Sequence, residues 1–277
     1  MPEYPKNILL AILAFAILCS NRSLARSAEG CRKSTKQTQS PFNSSYSDFV
    51  FACRDRSAPI GIKNIIEKLK QVVNKSDCLD AYVELRKKKF LVLRFSELTN
   101  IEPIASFTQL KELSLGGNAI SNITPIAKLK NLSKLNLGGL LGYNLVADLS
   151  PLKGLTQLEE LHINRNCVRN IEPLRNLTRL NFLDLAGNDI TDIGPLRELK
   201  KLKELKLYSN HVKDISPIKG LLELESLNLN HNLVSNISPL SELIALKRLW
   251  LRGNKIRNFS PLNSIRSNLD LLLIEGN

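Results

Sequence analysis

Three histidines, five cysteines and a set of aromatic and basic side chains are where chemistry could reside in this 277-residue chain. His162, His211 and His231 are the imidazoles available to a metal or a proton transfer. No HExxH pair, paired-cysteine metal spacing, phosphate-cradling glycine loop or nucleophile elbow accompanies them. The chain therefore reads as non-enzymatic, with no cofactor and no metal site expected. Cys53 and Cys78 lie close in sequence and are the favoured disulfide, although the sequence alone cannot choose among the pairings. Cys167 reads as a thiol, with a bond to Cys31 as the alternative. The net charge of +13 points toward acidic proteins, anionic lipid or another polyanion, or simply toward solubility. No nucleic-acid-binding motif is present.

These side chains sit on a strict repeat. Asparagines recur at Asn144, Asn166, Asn188, Asn210, Asn232 and Asn254, each 22 residues from the next. Prolines do the same at Pro151, Pro173, Pro195, Pro217, Pro239 and Pro261, and Asn118, Pro103 and Pro125 extend the series. One apolar template runs between them, complete at Leu180, Leu183, Leu185, Asn188, Ile190, Ile193, Pro195, Leu196 and Leu199. A fixed period of this length specifies a solenoid, in which each unit buries its apolar side only against its neighbours.

The spacing dictates the path of one turn. Leu183 and Leu185 are two apart and point to one side of a short strand, so Asp184 points to the other. Asn188 stands where the chain leaves the strand, and its amide can satisfy backbone groups stranded inside the coil. Stacked repeats would make a column of such amides. Pro195 belongs on the outer return leg, where no ladder needs its missing N–H. The template predicts nine strands, centred near residues 91, 113, 135, 161, 183, 205, 227, 249 and 272. At ~4.8 Å per strand the sheet spans roughly 40 Å. His162 and His231, three strands apart, are then about 14 Å distant, too far to share a metal.

The motif LxxLxLxxNxIxxIxPLxxL resembles bacterial leucine-rich repeats of the internalin-like, 22-residue kind, and the resemblance covers residues 88–277. It implies an α/β solenoid: a curved leucine-rich-repeat horseshoe with a parallel concave sheet and short turns or 3₁₀ segments on the convex side. It also implies a protein-binding scaffold.

The remainder of the chain divides by composition. Residues 1–25 read as a secretory signal, with Lys6, an apolar run from Ile8 to Leu18 and Ser23-Leu24-Ala25 for cleavage. A lipid anchor at Cys19 is the alternative. Residues 26–45 are rich in Ser, Lys, Gln and Asn and read as a flexible linker. Residues 46–87 read as a helical amino-terminal cap. Ile62, Ile65, Ile66, Leu69, Val72 and Val73 make one amphipathic stripe, and Leu79, Tyr82 and Leu85 a second over 79–86. This pair is placed to cover the bare edge and open apolar end of the first repeat. Ser96 stands where the first repeat's asparagine belongs, and Gly138 to Tyr143 contains a four-residue insertion. The insertion could project Leu140, Leu141 and Tyr143 toward a partner or fold back over the coil. No carboxy-terminal cap is evident.

Function is expected on the outward strand positions. They are small at Ser114, Gly116, Gly117, Asn136 and Gly138. They then become large: His162, Asn164 and Arg165; Phe182 and Asp184; Lys206 and Tyr208; Asn228, Asn230 and His231; Arg248, Trp250 and Arg252. Tyr, Trp and Arg are the residue types that anchor interfaces. A second candidate is a convex column of Lys153, Arg175, Arg197 and Lys219, each two residues after a repeat proline, which could track an anionic polymer or membrane surface. The expectation is a secreted or envelope-located monomer that binds a protein through its concave face in adhesion, host or envelope contact. A polyanion-binding module and an intracellular phosphatase-regulating repeat protein are the alternatives.

Overall fold

A computed structural model describes residues 47–139 and 144–277. The signal-like segment, the linker, Cys19, Cys31 and the insertion tip at Leu140, Leu141 and Tyr143 lie outside the described residues. Three helices lead the described residues: α1 (Phe49–Arg54), α2 (Ile60–Val73) and α3 (Cys78–Lys87). Nine parallel strands follow among the described residues: β1 (Phe90–Val92), β2 (Glu112–Ser114), β3 (Lys134–Asn136), β4 (Glu160–His162), β5 (Phe182–Asp184), β6 (Glu204–Lys206), β7 (Ser226–Asn228), β8 (Arg248–Trp250) and β9 (Leu271–Leu273). They form one sheet in sequence order, each template leucine in register with the next, as in Leu183 with Leu205 and Leu205 with Leu227. A 3₁₀ turn with the repeat proline in its first turn forms the return leg, as at Gly194–Glu198. This is the solenoid that the period specifies, in the leucine-rich-repeat form that the resemblance implies.

The core is one column of aliphatics running from the helices to the last repeat. Leu180, Leu183, Leu185, Ile190, Leu196 and Leu199 are all fully buried. Covering a side chain of this kind is worth roughly 1.5–3 kcal/mol. The asparagines do what the turn requires. Asn188 Oδ1 accepts from Val168 N–H of the preceding repeat at 3.0 Å. Its Nδ2 donates to Ile163 O, one repeat back, at 3.0 Å and to its own Leu185 O at 2.9 Å. Asn210, Asn232 and Asn254 repeat the pattern. On the convex side, Asn122, Asp148, Asn170, Asp192, Asp214, Asn236 and Asn258 each accept the N–H two residues on and so open the 3₁₀ turn. This second column escaped the sequence reading because Asn and Asp are mixed in it.

Both irregular repeats keep the ladder. Asn144, seven residues after Leu137 rather than three, still donates to Leu137 O at 2.8 Å and accepts from Ile120 N–H at 2.9 Å. The asparagine ladder therefore continues unbroken across the longer repeat. In the last repeat Leu272 follows its partner Leu249 by 23 residues rather than 22, and an extra 3₁₀ turn, Arg266–Asn268, absorbs the added residue.

The helical region differs from expectation in two respects. Helix α1 was not legible; it is six residues long, capped by the Asp48 carboxylate accepting from Phe51 N–H, and too short to show a period. In α3 the inward face is Ala81 and Leu85 with Tyr82 half-buried, whereas Leu79 is half-exposed. The reason is the Cys53–Cys78 disulfide, which turns the 78/81/82/85 stripe inward and leaves residue 79 about 100° away. The helices plug the open apolar end: Phe49, Tyr82 and Phe107 cluster with ring centroids 5.5–6.2 Å apart. Gln109 Nε2 of the second repeat donates to Leu85 O and Lys88 O at the end of α3. Cys167 is also corrected: it is buried and disulfide-bonded, not a thiol, and its partner is outside the described residues.

Replacing Asn188 by Ala leaves Val168 N–H unpaired, while Ile163 O and Leu185 O keep the neighbouring amides. We expect Asn188→Ala to lower unfolding stability by about 1–3 kcal/mol. Ser96→Ala, at the same position of the first repeat, should cost less than about 0.5 kcal/mol. Urea midpoints with amide exchange at Val168 check the contrast. Replacing both Cys53 and Cys78 by Ser should cost about 3 kcal/mol, read as a loss of amide protection confined first to the helices.

Candidate functional site

The sheet's alternation separates interior from exterior. Each strand sends its middle leucine inward and its two flanking residues to the concave face. Across β4 to β8 the flanking pairs are Glu160 and His162, Phe182 and Asp184, Glu204 and Lys206, Ser226 and Asn228, and Arg248 and Trp250. Two residues past each strand comes a second outward row: Arg94, Gly116, Gly138, Asn164, Ala186, Tyr208, Asn230 and Arg252.

The residue after that row is left-handed in repeat after repeat, at Phe95, Gly117, Arg165, Gly187, Ser209, His231 and Gly253, with φ between 51° and 71°. The conformation turns the chain out of the strand and favours glycine. Large side chains there lie on a glycine of the next repeat. A Cβ on Gly253 would meet the His231 ring at 2.6 Å, and one on Gly117 would meet the Phe95 ring at 2.3 Å.

The middle of the face is a connected cluster. The His162 and Phe182 rings lie 4.5 Å apart, tilted by 32°. Lys206 Nζ sits 4.9 Å from the Phe182 centroid and 2.9 Å from Glu204 Oε1. Arg248 reaches the same Glu204 carboxylate at 3.7 Å. Phe182, Tyr208 and Trp250 are half-buried on the surface and lie outside the core. Burial holds the His162 imidazole below its usual value, with Glu160 pulling the other way. Burial, and then the nearby Asp184, push the Tyr208 hydroxyl up.

Four of the expected site residues are partly occupied by the scaffold, one of them Asn228, whose Oδ1 accepts from Asn230 N–H at 3.0 Å. Asp184 is 8% exposed and accepts from Ala186 N–H at 3.1 Å. Asn164 is 9% exposed and donates to Gly139 O, and a Cβ on Gly138 would meet its Oδ1 at 1.9 Å. Asn230 Oδ1 accepts from Arg252 N–H at 2.7 Å. These four brace the backbone of the face. The convex candidates stand on or beside the 3₁₀ turns, and two of them are already paired: Arg175 with Glu172 at 2.5 Å and Lys219 with Glu242 at 2.9 Å. Among the described residues no group of histidine, cysteine and carboxylate side chains could hold a metal.

Sequence reading missed the amino-terminal end of the face. Phe90, Val92 and Phe95 are 60%, 63% and 54% exposed, and the Arg94 guanidinium lies 5.3 Å from the Phe95 centroid. The signal was available, since Phe90 and Val92 stand 22 residues before Glu112 and Ser114.

Burial raises the Asp184 carboxyl above its usual range, against the opposing pull of the Ala186 N–H bond and the Lys206 charge. A raised folded-state value favours the protonated form, so the carboxylate weighs against the fold as pH rises through that value. Asn136 and Asn228 occupy the same row and make the same backbone bond. Asp184→Asn should therefore be at least as stable as wild type at pH 7, with the margin shrinking as pH falls toward about 4. Thermal unfolding across that range checks this; a clearly less stable variant at pH 7 would mean that Lys206 and Arg165 outweigh the burial.

Comparison with known proteins agrees with the geometry. The family model for leucine-rich repeats (2 copies) matches residues 178–220 and 223–264. Internalin C2 from Listeria monocytogenes shares 29% identity, with a TM-score of 0.70 over 84% of this chain and 96% of that one. The functional domain of InlJ from the same organism shares the fold at 21% identity and a TM-score of 0.65, over 77% of this chain and 45% of that one. The ectodomain of the plant receptor kinase GASSHO1/SCHENGEN3 from Arabidopsis thaliana also shares it, at 21% identity and a TM-score of 0.52, over 67% of this chain and 26% of that one. No curated protein matches the chain. With its period, its single parallel sheet and these relatives together, the chain has the leucine-rich-repeat fold and is similar to the bacterial internalins.

Proposed function

We propose that this protein is an exported, non-enzymatic scaffold that binds a protein partner through the concave face between β4 and β8. The observation that carries the reading is the placement of Phe182, Tyr208 and Trp250, half-buried, on a face whose backbone is already locked by the sheet and the asparagine ladder. Rigid aromatic anchors on a fixed scaffold bind with little ordering cost. The sheet, roughly 40 Å long at ~4.8 Å per strand, suits a protein surface better than a small ligand. The Cys53–Cys78 disulfide supports an oxidising compartment, and with it adhesion, host contact or envelope interaction.

Affinity capture from host-cell and envelope extracts should retain species that the Tyr208→Ala/Trp250→Ala double variant loses, with the circular dichroism spectrum unchanged. Species held equally by both proteins would reject the concave site. Amino-terminal sequencing of the exported protein should begin at Arg26; recovery from the cytosol with residues 1–25 intact would reject export.

A further inference from the structure

Charge is not spread evenly along the concave face. Toward the amino-terminal end it is matched locally, as where Lys134 pairs with Glu160 at 2.8 Å. At the centre Lys206 is held by Glu204 at 2.9 Å. At β8 the balance fails. Arg248 and Arg252 flank Trp250, each two residues away and on the same side of the chain. The carboxylate within ion-pair distance of Arg248 is Glu204, at 3.7 Å, and Lys206 already occupies it. Arg252 is exposed and makes no ion pair among the described residues, although Glu275 stands beside it in the next repeat. The His231 ring lies over Gly253, next to Arg252 in the chain. Apolar surface continues across the strand pairing, where Arg248 faces Leu271 and Trp250 faces Leu273. Those leucines are 37% and 38% exposed.

An indole between two guanidinium groups, bordered by leucines, is a surface for an apolar side chain with a carboxylate on either side of it. Guanidinium groups take carboxylates in bidentate pairs, and the indole supplies the buried anchor. We propose that the β8–β9 end of the concave face recognises a protein segment in which acidic residues flank an aromatic or aliphatic one. This rests on the concave-face reading above and specifies the partner's chemistry. The geometry favours such a segment over a uniform polyanion, which would have no use for Trp250, Leu271 and Leu273.

A displayed library of random dodecapeptides, selected on the immobilised full chain at about 0.15 M salt, where exposed charges act over only about 8 Å, supplies the probe. The recovered peptides should be enriched in Asp or Glu next to Phe, Trp, Tyr or Leu. One recovered peptide, made synthetically, should bind the Arg248→Glu/Arg252→Glu variant at least tenfold more weakly and Trp250→Ala at least fivefold more weakly. Glu204→Gln, which releases Arg248, should tighten it. Recovered peptides without acidic enrichment, or a change under twofold on charge reversal, overturn the proposal. If Tyr208→Ala/Trp250→Ala loses the peptide while charge reversal does not, the concave-face reading stands and the acidic partner falls. If neither variant loses it, both readings fall. Displacement by heparin with Trp250→Ala unchanged also overturns it, in favour of diffuse polyanion attraction.

Discussion

Each repeat asparagine reaches backward, and that single bond set orders the molecule. Its Oδ1 accepts an N–H from the repeat before, and its Nδ2 bridges a carbonyl of that repeat to one of its own. An unpaired amide inside the coil would cost about 1–3 kcal/mol, and every turn would leave one. The direction of the bonds explains the ends. The first repeat has no predecessor to bind, so Ser96 suffices there, and its N–H is held instead by Asn118 Oδ1 at 2.9 Å. Helices α1 and α2 pack on the first repeat where a preceding coil would have been. At the other end Asn277 Nδ2 still donates to Leu251 O at 3.1 Å, so the last repeat is tied in by the same rule.

Because the interior is settled by leucines and amides, the outward positions carry no structural duty that fixes their type. That independence is partial. Where an outward residue has a short polar side chain, the backbone recruits it: Asn136, Asp184 and Asn228 all cap the N–H two residues on. Where it is long or aromatic, as at Lys206, Tyr208 and Trp250, it cannot make that bond and remains on the surface. The face is thus divided by side-chain length into residues that stiffen it and residues that present themselves.

The same distinction separates what was legible in the sequence from what was not. Strand positions, register, return-leg prolines and the asparagine column follow from a period of 22 and were read directly. The Cys53–Cys78 bond followed from proximity within a short region. The rotation of α3 depends on that bond, and ten residues with mixed polarity do not encode it. The burial of Asp184 depends on Ala186, a small neighbour in the outer row, together with its own short side chain. Phe90, Val92 and Phe95 were overlooked because an atypical first repeat reads as a boundary, although its strand pairs like any other. Cys167 follows a ladder asparagine at a position where the template places no constraint, so the period says nothing about its state.

A solenoid can vary its surface one repeat at a time, since each unit touches only its neighbours. The concave face uses that freedom along its length. It passes from exposed phenylalanines over glycines at β1 and β2, through the self-paired Phe182–Lys206–Glu204 cluster, to under-compensated arginines around Trp250 at β8. The central cluster already satisfies much of its own charge and would have to exchange partners on binding. The β8 arginines hold less of theirs, so a carboxylate arriving there displaces water more than an existing ion pair. Desolvating a charge repays only when its new partner is better than its old one. On that ground the strongest electrostatic gain on this face lies where the internal pairing is weakest, at the β8 end rather than in the middle of the arc.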